Sequence, residues 1–151
     1  MRGDVGSAWE GGPAGQGWVT LPQQRLPDQG YPHPVVNAGG SGETTAGALS
    51  RLPAALDRNQ PAIVLIELGG NDGLRGGSLA AMRDNLDAMT SASRRAGSRV
   101  LLVGIRVPPN YGGTYGERFA ATYAELASAH KAALVPFLFA GFAEDDAMFP
   151  P

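Results

Sequence analysis

Apolar and polar positions along this chain follow two rhythms that take turns. Ala62 to Leu68 and Arg99 to Ile105 are short, dense apolar runs, the second centred on Val100-Leu101-Leu102-Val103, and both read as strands buried on two faces. Pro34-Val35-Val36-Asn37 and Ala133-Leu134-Val135-Pro136 read as two further, shorter strands. Between them the spacing lengthens to that of a helix. Ser78 caps the clearest one, which places Leu79, Met82, Leu86, Met89 and Ser93 on one face and stops at Gly97. A second helix runs from about Tyr115 to His130, with Phe119, Tyr123 and Leu126 turned inward. Thr44 or Thr45 caps a third through Leu49 and Leu52, and Pro53 is expected to begin another turn.

The remaining segments are less regular. Residues 1 to 16 are glycine-rich and read as a loop, and Trp18 to Gln29 reads as a short helix broken by Pro22 and Pro27. Strands alternating with helices of this length form βαβ units around a parallel sheet, so the expected fold is doubly wound α/β. No internal repeat is visible. At 151 residues, the chain is one domain, 1–151.

Composition then narrows the chemistry. A formal charge of −2, with no basic cluster larger than Arg94-Arg95, carries no electrostatic footprint for nucleic acid. Zero cysteines exclude disulfides, thiolate metal sites and a cysteine nucleophile. No spacing of His, Asp and Glu suggests a metal site, and no cofactor is expected. No stretch approaches an integral membrane segment and no apolar signal region opens the chain. The expected location is therefore cytoplasmic as written, or periplasmic or secreted if an N-terminal signal has been lost.

The most informative stretch is Glu67-Leu68-Gly69-Gly70-Asn71-Asp72-Gly73-Leu74-Arg75-Gly76. A buried strand stops at a glycine pair and an Asn-Asp follows at once, at the carboxyl end of the strand, where open α/β sheets bind ligands. Glycine lets backbone come close to a ligand, and the asparagine offers an uncharged amide donor suited to a developing oxyanion. Asp72 is a cap, a loop anchor or a substrate contact. Asn110 and Tyr111, on the loop after Arg99–Ile105, should face the same cleft and contact substrate. Gly73 to Gly77 has the composition of a mobile lid.

Together with Val36-Asn37-Ala38, Gly42-Glu43-Thr44-Thr45, Arg51-Leu52-Pro53 and Arg106-Val107-Pro108-Pro109-Asn110-Tyr111-Gly112, this block resembles the SGNH (GDSL) hydrolases, in particular their arylesterase, thioesterase I and lysophospholipase L1 branch. The resemblance implies a three-layer α/β/α hydrolase with a flavodoxin-like parallel sheet. It implies a serine nucleophile and a late Asp-x-x-His as base and orienting partner. The oxyanion hole would be built from the nucleophile's own backbone, a glycine that maps to Gly42 and an asparagine that maps to Asn71. The substrate would be a small acyl ester or thioester, and the oligomeric state is left open.

Three departures alter that expectation. Aligned on Gly3-Asp4 and on Pro13 to Trp18, the family's opening Gly-Asp-Ser-Leu-Ser places Val5 at the nucleophile position, and Ser7 at the second, non-nucleophilic serine. Ser7 is the substitute nucleophile to consider if the loop shifts. The Asp-x-x-His has no counterpart after Asp146; His33 lies ahead of a strand, at the amino end opposite the expected site, and His130 closes a helix, where its imidazole suits the dipole. Only Met1 and Arg2 precede Gly3, so the chain is expected to be incomplete at both ends, lacking the first strand and the last helix. The expected function is thus an SGNH-type ester hydrolase with impaired or absent activity. The alternative is a catalytically dead fragment or pseudoenzyme that at most binds acyl ligands.

Overall fold

The computed structural model describes residues 4–5, 28–30, 35–36, 38–39 and 42–136. Strand β1 (Asp4–Val5) lies beside β2 (Ile63–Ile66), β2 beside β3 (Arg99–Val103), and β3 beside β4 (Ala133–Val135), each pair parallel. The register is level across the sheet: Val5 aligns with Ile66, Ile66 with Leu102, and Leu102 with Leu134. The segments that follow these strands therefore leave from one edge, the carboxyl edge. Parallel neighbours need long crossovers, and helices supply them. In β1, Asp4 pairs with Leu65 and Val5 with Ile66.

Helix α1 (Thr45–Asn59) precedes β2, and helix α3 (Leu79–Arg95) connects β2 to β3 after a short α2 (Gly70–Leu74). Helix α4 (Gly113–His130) connects β3 to β4. Alternate strand residues Val64, Ile66, Val100 and Leu102 turn to one face and are buried there with Leu52, Leu56, Met82, Leu86, Met89, Phe119, Tyr123 and Leu126. These are the periodic positions of the three long helices, and α3 lies between α1 and α4. Burying each such side chain stabilises by about 1.5–3 kcal/mol, so this face supplies most of what holds the helices to the sheet.

The helix ends follow their caps. Thr44 receives the Gly47 amide and Ser78 receives the Ala81 amide, while Gly97 at φ 89 lets the chain leave α3. Pro53 is a correction to the sequence reading: α1 continues through it instead of beginning a new turn. A proline inside a helix costs about 3 kcal/mol or more. Here Leu52 and Leu56, on either side of it, are both buried against the sheet, and their burial offsets that loss. A second difference concerns Val35 and Val36, which belong to no strand, while Pro34 and Asn37 lie outside the described residues.

Candidate active site

The carboxyl edge gathers the segments singled out by the sequence. Strand β2 ends at Ile66, and the chain passes through Glu67 and Leu68 to Gly69, whose φ of 117 starts α2. A side chain at Gly69 would run into the Tyr123 hydroxyl and lie 2.9 Å from Met82 Sδ. Glycine is thus required here twice, by conformation and by space. The Tyr123 hydroxyl donates to the Leu68 carbonyl at 2.6 Å, so α4 supports this turn from below. Burial raises the Tyr123 phenol well above its ordinary value, and the nearby carboxylates of Asp72 and Glu67 push the same way. It remains a neutral hydrogen-bond donor.

The turn places Asn71 and Asp72 in α2, and both reach the segment that leads into α1. Asn71 Nδ2 donates to the Glu43 carbonyl at 3.0 Å. An amide nitrogen carries two hydrogens, so a second donor remains beyond that bond. Gly42, next in the chain to Glu43, adopts φ 68 and is exposed, and among the described residues nothing lies within 4 Å of where its side chain would be. Asp72 is engaged through both oxygens: Oδ2 accepts from the Thr45 amide at 2.9 Å, and Oδ1 from the Thr45 hydroxyl at 2.6 Å. Asn85 Nδ2, from α3, donates to the same hydroxyl at 3.0 Å. Glu43 also pairs with Arg51 at the surface.

The other expected residues are placed as follows. Val5 ends β1 level with Ile66, and so belongs to the same edge. Ser7 and His33 lie outside the described residues. Asn110 and Tyr111 form a 3₁₀ turn, Pro109–Tyr111, on the segment after β3. Asn110 is exposed, and the Tyr111 hydroxyl donates to the Leu74 carbonyl at 3.2 Å, which links this turn to the end of α2. Tyr111 also heads a file of rings, Tyr111, Tyr115, Phe119 and Tyr123, with successive centroids 6.4, 6.2 and 5.8 Å apart. The file runs from the carboxyl edge down α4 to the support beneath Gly69.

The stretch read as a lid is tied at its base, since Gly76 donates to Gly73 and Gly77 to Asp72 through backbone bonds. His130 closes α4 just ahead of β4, at the amino edge, where its Nε2 lies 2.7 Å from Asp87 Oδ1 and its carbonyl receives Arg94. It is on the opposite side of the sheet from Asn71. Among the described residues no three His, Asp or Glu side chains group as metal ligands, and no helix is long and apolar enough to cross a membrane.

Three participants are not marked as such in the sequence: Thr45 reads there as a cap and Tyr123 as core, and Asn85 has no assigned role. Asn85 carried a signal nonetheless: it falls three positions after Met82 and four before Met89, a polar residue beside an apolar stripe.

The sequence pattern of the GDSL-like lipase/acylhydrolase family matches residues 5–151. The chain is 52% identical over 139 residues to Esterase TesA of Pseudomonas aeruginosa, covering 92% of this chain and 69% of that protein. To the Arylesterase of Vibrio mimicus it is 42% identical over 137 residues, covering 91% of this chain and 68% of the other. A crystal structure of TesA superposes with a TM-score of 0.93 at 49% identity, over 97% of this chain and 83% of that one. A parallel sheet flanked by helices, the Gly-Gly-Asn-Asp turn at its carboxyl edge and these similarities agree. The chain belongs to the GDSL-like lipase/acylhydrolase family, the SGNH hydrolases, in the neighbourhood of its esterases and arylesterases.

Proposed function

We propose that this chain is an SGNH-type ester hydrolase that binds small acyl esters or thioesters at the carboxyl edge, with Gly42 and Asn71 as the oxyanion donors. The observation that carries this reading is the Asn71–Glu43 bond, which fixes one Asn71 hydrogen beside Gly42 and leaves the other for a ligand. Uncharged N–H donors suit the charge that builds on an acyl oxygen during attack. Asn110 and Tyr111 border this cleft and contact the acyl or leaving group. Residues 1–151 belong to a single domain of this type.

Turnover is expected to be weak. Valine has no group to attack a carbonyl, and Val5 stands where the family carries its serine. Losing a nucleophile costs on the order of 10⁶ in kcat, while oxyanion donors and binding can keep about 10³–10⁴ over water. Ser7 is the substitute nucleophile to test. Val5 equally favours a second reading, in which the protein binds acyl ligands without hydrolysing them.

The deciding experiment is p-nitrophenyl butyrate hydrolysis by the purified chain, with Asn71→Ala and Ser7→Ala run alongside. Turnover that falls in Asn71→Ala supports the hydrolase. Turnover indifferent to both substitutions removes it. No turnover, with a melting temperature raised by butyrate or a longer fatty acid, selects the binding protein.

A further inference from the structure

We infer that Asp72 is a positioning residue, which sets Gly42 relative to Asn71 by holding Thr45, and that it does not itself contact the ester. The inference rests on Gly42 and Asn71 being the oxyanion donors. Gly42 is exposed, and among the described residues a side chain there would meet nothing within 4 Å. Its position is inherited through the chain from Glu43 and Thr45. Both are held from the same short helix: Glu43 by Asn71 at 3.0 Å, and Thr45 by Asp72 at 2.9 and 2.6 Å. These are two rungs of one brace, 28 and 27 positions apart in sequence. Thr45 is fully buried, and Asn85 fixes its hydroxyl from a third helix, so the brace has little freedom to shift.

Electrostatics explains why a carboxylate is tolerated next to Asn71. A bare negative charge beside an oxyanion would oppose catalysis. Asp72 instead faces the first turn of the fifteen-residue α1 and accepts two hydrogen bonds there, where the helix end favours negative charge. Each of its oxygens is thus turned toward Thr45. Thr44 caps α1 through the Gly47 amide, and Asp72 takes a different free amide of the same turn, that of Thr45, together with its hydroxyl.

The test uses the full chain with Asp72→Asn, Thr45→Val, the double variant and Thr45→Ser. The readouts are p-nitrophenyl butyrate kinetics, melting temperature and the NMR order parameter of the Gly42 amide. Positioning predicts that each single variant lowers kcat about tenfold with KM unchanged, a displacement effect of a size seen for small misplacements. The double variant should be no worse than either single one. The Gly42 order parameter should drop in both, and Thr45→Ser should restore both readouts. A lower melting temperature with kcat and the order parameter intact would reduce Asp72 to a cap. A rise in KM alone would make it a substrate contact, and either result overturns the inference. Should the parent chain show no turnover, the hydrolase reading fails, and the Gly42 order parameter still decides: a drop in both variants upholds the brace, and no drop ends it.

Discussion

The side-chain amide of Asn71 donates to the Glu43 carbonyl at 3.0 Å, which joins the turn after β2 to the residue beside Gly42. Two segments far apart in sequence thereby become one structural unit at the carboxyl edge. A substitution at position 71 consequently acts on the brace between the segments and, on the proposed function, also on the donor offered to a ligand.

Asn71→Asp separates those roles poorly by design and is informative for that reason. It keeps the shape, removes both N–H groups and sets a carboxylate against the Glu43 carbonyl. Whatever ester turnover the chain has should fall by about 10²–10³, the usual cost of one oxyanion donor. The melting temperature should fall too, because two acceptors then face each other. Initial rates and a thermal scan on the same preparation check both.

Tyr123→Phe removes one hydroxyl and leaves the buried Leu68 carbonyl without its 2.6 Å partner. An unsatisfied buried group costs about 1–3 kcal/mol, which denaturant unfolding would resolve. The same residue gives a pH dependence. Its phenol is raised in the folded protein, so folding favours the neutral form. The associated stability is complete below the ordinary tyrosine value of about 10 and declines as pH rises above it. Tyr123→Phe should flatten that alkaline decline relative to the parent.

Gly69→Ala adds a methyl group against the Tyr123 hydroxyl and Met82 Sδ, at a backbone φ of 117 that suits glycine. Overpacking alone costs about 1–3 kcal/mol, and the backbone strain adds to it. Combining it with Tyr123→Phe should cost less than the sum of the two, since the hydroxyl that the methyl meets is gone. A double-mutant cycle in urea measures the difference.

His130→Gln should leave ester turnover unchanged. The imidazole sits at the amino edge with Asp87 and is remote from Asn71. An ion pair with one exposed partner is worth about 0–1 kcal/mol, so the melting temperature should move little. A loss of turnover without a loss of stability would overturn the placement of the site.

Much of this arrangement was legible in the sequence, and what was not has a physical reason. Dense apolar runs gave β2 and β3 because a strand covered on both faces has no room for polar positions. The stripe from Met82 to Ser93 gave α3 because its spacing fits no other element. Pro53 misled, since a local rule about proline was outweighed by the burial of Leu52 and Leu56, a tertiary effect. Asn71 stood out through its glycines and its block. Its partner Glu43, and the hold of Asp72 on Thr45, did not. Those bonds exist only once α1 and α2 meet, and nothing in either segment announces the other.

The register of the sheet carries a consequence for how such a protein can change over time. Val5 enters the carboxyl edge from β1, whereas the bonds of the brace join Glu43 and Thr45 to Asn71 and Asp72 of α2 and Asn85 of α3. In the proposed hydrolase, attack and charge stabilisation would therefore rest on separate mechanical supports, so that the residue at position 5 could change in one step while the surface proposed to receive the anion stayed intact.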